Sequence, residues 1–181
     1  MAHWFWLFVL YSFCGYLLEK AFAYATHAPQ QVRKCFLVWP LCPVYGLGMC
    51  AVLLLPESIK ANGLWLILCG GVTATAAEYL THWFYDKAAG VFFWDYSRTP
   101  LQIKGRVCLL FALIWGLLVF PAVRYLQPLL ETVAAPISAP VTFAAMLFLT
   151  ADAVVSLHLL RRSRRVECMS LPILLRTLRS Q

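Results

Sequence analysis

Five long apolar runs, each about the length of a membrane crossing, divide this chain: 4–24, 36–55, 64–85, 107–126 and 139–160. Each can cross a hydrocarbon core of roughly 30 Å as a helix. The strands of a membrane barrel would instead show segments of about ten residues with alternating polarity, and that pattern is absent. The runs predict an all-α fold, a polytopic helical membrane bundle of about five transmembrane helices. The second helix should be broken, because WPLCPVYG places Pro40 and Pro43 three apart with Gly46 close behind. Prolines remove donors and crowd the preceding turn, so free carbonyls are expected there. Connections are short except for 86–106, which holds the sequence FFWDYS.

The runs are not uniformly apolar. Ser12, Gly15 and Glu19 share one face of the first, and Gly71, Thr75, Glu78 and His82 share one face of the third. Thr142, Ala145, Asp152 and Ser156 do the same in the fifth, while Gly105, Ala112 and Gly116 mark where a neighbouring backbone could approach the fourth. Stripes of small and polar residues face protein rather than lipid.

Composition strengthens the membrane reading: 62% of the side chains are hydrophobic and 13% charged, too apolar a balance for a soluble domain of this size. The net charge of +7 lies between and after the runs rather than along one surface, so no nucleic acid partner is expected. Basic residues fall at Arg33 and Lys34, at Lys87, Arg98, Lys104 and Arg106, and at Arg161, Arg162, Arg164 and Arg165. Five crossings put all three groups on one side, giving an outside amino terminus and a cytoplasmic carboxyl terminus. Residues 1–160 then form the transmembrane domain and 161–181 a basic cytoplasmic tail, in a multi-pass membrane protein. The start lacks a positive leader and a small-residue cleavage site, so the first run should stay in the membrane. The seven cysteines show no zinc or disulfide spacing and read as small buried apolar residues. No cofactor or metal is expected.

On this topology Glu19, Glu78, Asp95, Arg106 and Asp152 all come to the cytoplasmic half, where they could form one polar cluster with Tyr45 and Tyr96. Asp152 lies nine residues before Arg161, about 13 Å along a helix. A charge at that depth costs a few kcal/mol unless it is paired or hydrated. Arg106 is the expected partner of Asp95, Glu19 and Glu78, and the cluster is either a substrate site or a structural clamp. Phe93 and Trp94, with Phe92 and Tyr96, have the composition of an interfacial anchor.

The blocks YSFCGYLLEK, FLVWPLCPVYG, AEYLTHWFYDKAAGVFFWDYS and GRVCLLFALIWGLL resemble a family of small bacterial membrane proteins grouped as type IV ABC-transporter permeases. Glu19, Pro40, Pro43, Tyr45, Gly46, Glu78, Tyr79, Trp94, Asp95, Tyr96, Gly105, Arg106, Trp115 and Gly116 match its motif positions. Gln102 and Lys104 stand where the family pattern has asparagines, and Trp39 stands where it has a glycine. The resemblance implies a permease component of the bacterial cytoplasmic (inner) membrane. The chain has no Gly-rich phosphate loop ending in Gly-Lys-Ser/Thr, so it requires a separate ATPase subunit, with a second copy or another partner to enclose a path through the membrane lipids. Two alternatives stand beside it. One is a membrane-embedded enzyme acting on a lipid or isoprenoid phosphate, with Glu19, Glu78 or Asp95 as base and Arg106 holding phosphate. The other is a non-catalytic assembly subunit.

Overall fold

The computed structural model describes residues 2–26 and 37–169. Its elements run α1 (Ala2–Ala25), α2 (Pro43–Leu53), α3 (Glu57–Ala61), α4 (Gly63–Ala89), the short strands β1 (Gln102–Ile103) and β2 (Val107–Cys108), α5 (Leu109–Pro121), a π-helical turn (Ala122–Leu126), α6 (Gln127–Ala134), α7 (Ala139–Ser163) and a 3₁₀ turn (Val166–Met169). Four helical stretches are long and apolar enough to cross a membrane: α1, α4, the continuous stretch Leu109–Ala134, and α7. The molecule is an all-α membrane bundle.

The second apolar run departs from a full crossing. Only the 11 residues of α2 are helical, about 16 Å of helix. Pro43 occupies the first turn, where no intrahelical N–H is needed, and residues 37–42 before it are not helical. Three of their backbone donors are met by neighbouring helices, while Leu41 N–H bonds the Trp39 carbonyl (2.7 Å). Val38 N–H donates to Asp152 Oδ1 (3.1 Å) and to Ser156 Oγ (3.2 Å), Trp39 N–H to Asp152 Oδ2 (3.1 Å), and Cys42 N–H to the Ser12 carbonyl (2.9 Å). The break therefore precedes Pro43 and includes Pro40. Gly46 is not part of it. It lies inside α2, where an added Cβ would sit 2.3 Å from Ser12 Oγ and 2.5 Å from the Phe8 carbonyl, so its role is close packing on α1.

Backbone approach also joins α4 to α5. A Cβ on Gly71 would meet Gly116 Cα at 2.9 Å, and one on Gly116 would meet the Ile67 carbonyl at 2.7 Å. These are the small-residue contacts that allow helices to pack without a hydrophobic driving force. The fourth run continues to Ala134 rather than ending near 126. Pro121 lies inside it and Pro128 opens α6, and the intervening π turn absorbs the lost donors by bonding Gln127 N–H to the Ala122 carbonyl.

Contacts at the two ends fix the helix directions. At one end Trp6 Nε1–H donates to Thr142 Oγ1, His3 pairs with Glu131, and Arg124 bonds the Ala61 carbonyl. At the other, Arg161 bonds the Ala88 carbonyl (2.6 Å), and Leu37, Tyr85, Ala89, Phe93, Leu160 and Met169 form one buried cluster. The start of α1 and the end of α7 thus lie at opposite ends of the bundle. Residues 27–36, with Arg33 and Lys34, and 170–181 of the expected tail lie outside the described residues. The part of that tail that is described does not hang free, since α7 continues to Ser163 and Met169 is fully buried. Cys42 is disulfide-bonded, which corrects the reading of all seven cysteines as isolated apolar residues.

Candidate functional site

The polar side chains of α1, α2, α4 and α5 converge on a cavity of about 280 Å³. Its wall holds Glu19 from α1, Tyr45 from α2, Glu78 from α4, Trp94 and Tyr96 from the loop after α4, and Phe111 and Trp115 from α5. The way each residue arrives can be traced to local sequence. Gly15 lies one turn before Glu19, and a Cβ there would sit 2.2 Å from Tyr45 Cγ. Its absence lets the Tyr45 ring lie on α1, with the hydroxyl donating to Glu19 Oε1 at 2.8 Å.

Glu78 is 4% exposed and has both oxygens occupied. Tyr96 O–H donates to Oε1 (3.0 Å) and Trp115 Nε1–H to Oε2 (2.9 Å). Tyr45 meets Trp115 edge to face at 5.0 Å, and Tyr96 stacks on Phe111 at 4.9 Å, so rings of three elements brace the two carboxylates. Burial, followed by the Glu78 charge, raises the Tyr96 phenol above its ordinary range and keeps it a donor.

The loop that delivers Trp94 and Tyr96 is held by its own bonds. Trp94 Nε1–H donates to the Arg106 carbonyl (2.9 Å), His82 donates to the Trp94 carbonyl (3.0 Å), and Tyr96 N–H donates to the Gly105 carbonyl (2.8 Å). Strands β1 and β2 pair antiparallel, Ile103 opposite Val107, across the three residues 104–106, of which Lys104 (φ 53°) and Gly105 (φ 68°) are left-handed and Arg106 N–H donates to the Ile103 carbonyl (3.0 Å). Gln102 Oε1 accepts from Gly105 N–H at 2.6 Å.

The family "Putative ABC-transporter type IV" matches residues 6–157. The chain belongs to that family. No curated protein and no solved structure matches it. Membership and the four long apolar helices make this a multi-pass, ABC-transporter-related membrane protein.

Within this ABC-transporter type IV member, the expected cluster of seven separates. Glu19, Tyr45, Glu78 and Tyr96 share the cavity, whereas Asp95, Arg106 and Asp152 do not line it. Arg106 pairs with Asp86 at 2.8 Å and lies over the Tyr79 ring at 5.3 Å, rather than meeting Asp95, Glu19 or Glu78. Asp95 is exposed and folds back on its own turn, accepting from Ser97 N–H (2.8 Å) and Ser97 Oγ–H (3.0 Å). Those two bonds hold its carboxyl below the usual carboxylate range. Asp152 caps the non-helical 37–42 segment.

The expected anchor also changes. Phe93 is 5% exposed and packs against Tyr85 at 4.7 Å, and Trp94 is half-buried in the cavity wall, because the extended backbone after Gly90 alternates inward and outward and sends Phe92 outward instead. Trp115 and Asp86 join the expected site residues, Trp115 on Glu78 and Asp86 on Arg106. Asp86 was legible, since it follows Glu78 and His82 at four-residue spacing on one face of α4. Trp115 was already among the family positions, but nothing local tied its indole to Glu78.

A larger space of about 440 Å³ between α2, α4 and α7 is walled mainly by apolar groups such as Phe8, Leu47, Leu80 and Leu149. Its Thr81 hydroxyl is spent on the Ala77 carbonyl (2.7 Å). Among the described residues no group of three or more His, Cys, Asp or Glu is arranged to hold a metal ion.

Proposed function

We propose that this protein is the permease component of an ABC-type transporter of the bacterial inner membrane, and that the cavity between α1, α2, α4 and α5 holds its cargo. The observation that carries the reading is the placement of Glu19 and Glu78 on one cavity wall, held by neutral donors and, among the described residues, by no cationic side chain. Buried ionisable groups are expensive at membrane depth and mark pathways when they face an interior space. A structural clamp would pair opposite charges, as Arg106 and Asp86 do a short distance away.

The same pairing weakens the lipid-phosphate enzyme alternative. Its phosphate-holding arginine is engaged elsewhere, and two carboxylates on a cavity wall repel an anion. ATP must be hydrolysed by a separate subunit, since the chain has no phosphate-binding loop. The basic segments favour an outside amino terminus.

Affinity purification of the chain from native membranes tests the proposal, together with ATP-dependent uptake and efflux in a deletion strain. Recovery of an ATPase, and restoration of the lost flux by wild type but not by Glu78→Gln, is the expected outcome. A complex without an ATPase, or a deletion strain with every ATP-dependent flux intact, overturns it.

A further inference from the structure

We infer that the cavity takes a monovalent organic cation, a tertiary or quaternary ammonium with an apolar body; the inference rests on the reading of the cavity as a cargo site. The first argument is charge. Among the described residues the ion pairs are His3 with Glu131, Lys60 with Glu57, and Arg106 with Asp86, so neither Glu19 nor Glu78 has a counter-cation. Glu19 Oε2 has no donor from the described residues, while its Oε1 has one. A bound cation would offset the cost of holding two carboxylates in a low-dielectric wall, and an anion would add to it.

The surface that the ligand would touch favours a cation as well. Tyr45, Trp94, Tyr96, Phe111 and Trp115 make the wall aromatic, and the faces of such rings attract cations, most strongly when the cation is desolvated. The hydroxyls of Tyr45 and Tyr96 and the indole N–H of Trp115 already donate to the carboxylates. That leaves few free oxygens, which disfavours a hard metal ion needing six or more oxygen ligands. A quaternary ammonium asks for no acceptor at all. It needs charge and π-faces, and the wall supplies both.

Size is the third argument. A cavity of about 280 Å³ corresponds to roughly nine waters at ~30 Å³ each. That is room for an ammonium carrying three methyl groups and one benzyl group, and not for a whole phospholipid.

Equilibrium binding of radiolabelled benzyltrimethylammonium to the purified full chain in phosphatidylcholine nanodiscs provides the test. Neopentylbenzene, which replaces the charged nitrogen with carbon in the same shape, serves as the competitor. We expect saturable binding that neopentylbenzene does not displace, an affinity loss of about tenfold or more in Glu78→Gln, and a smaller loss in Trp115→Leu. Should Glu78→Gln fail to fold, Glu19→Gln reads the same charge from a half-exposed position that holds a single phenol. Absence of saturable binding, equal displacement by neopentylbenzene, or unchanged affinity in the folded glutamate variants overturns the inference. Because the chain is tested without any ATPase, the two readings fail separately. Recovery of an ATPase with no ammonium binding removes only the ligand class, and ammonium binding with no ATPase removes only the transport reading.

Discussion

The turn at Lys104 and Gly105 shows how far single residues decide the position of the cavity wall. Both have positive φ, and Tyr96 hangs from the Gly105 carbonyl. A side chain in the left-handed region loses roughly 1–2 kcal/mol, and asparagine tolerates it better than lysine. Lys104→Asn should therefore stabilise the folded protein by ~0.5–1 kcal/mol, measured as a rise in the midpoint of detergent-induced unfolding. Gly105→Ala should destabilise it by about 1–2 kcal/mol from the φ penalty alone. The new methyl would also sit 2.9 Å from Asp95 Oδ1. Equal midpoints for the two variants would mean that the turn is not left-handed at both positions.

Asp152 illustrates the limit of reading residues singly. Its depth and charge are visible in the sequence, but its use is not, because the donors it satisfies belong to a segment more than a hundred residues earlier. Asp152→Asn keeps one acceptor oxygen for two backbone donors, and should cost about 1–3 kcal/mol in unfolding free energy. Asp152→Leu should cost more than Asp152→Asn. A leucine variant as stable as wild type would show that residues 37–42 find other partners.

At the level of elements, α4 and α5 carry the cavity because they can approach to backbone contact. Gly71→Leu or Gly116→Leu would push them apart and withdraw the Trp115 indole from Glu78. An overpacking cost of about 1–3 kcal/mol is expected, together with a red shift and broadening of tryptophan emission as that indole loses its fixed partner. Variants that keep both wild-type stability and wild-type emission would argue against the contact. The stripes containing Gly71 and Glu78 were readable from helical periodicity, as were the existence of the long helices and the break near Pro40 and Pro43. The extension of the fourth run through its π turn was hidden by Pro121 and Pro128, which look like stops in sequence. In the structure, the ladder shifts so that Gln127 N–H bonds the Ala122 carbonyl, which also accepts from the Tyr11 hydroxyl (3.4 Å). The pairing of Arg106 with Asp86 depends on the loop folding back over α4. Neighbouring charges in sequence suggested Asp95 instead.

For the whole molecule, the start of α1 and the end of α7 lie at opposite ends of the bundle. Tags at the amino and carboxyl ends should be reached by protease from opposite faces of sealed membrane vesicles, the amino tag from outside. Both tags on one face would refute the arrangement. The basic segments favour the cytoplasm for the end near Ala88, whereas disulfides persist mainly in oxidising compartments. Cys42 itself is only 1% exposed, which keeps its own sulfur from soluble reductants.

The central claim is that phenols and an indole, not an arginine, hold the cavity carboxylates. Double-mutant cycles on unfolding free energy test it directly, because residues in contact couple and separated residues add. A coupling of about 0.5–3 kcal/mol is expected between Glu78→Gln and Trp115→Phe, and additivity within about 0.5 kcal/mol between Glu78→Gln and Arg106→Gln. Strong coupling of Glu78 to Arg106, with none to Trp115, would contradict it.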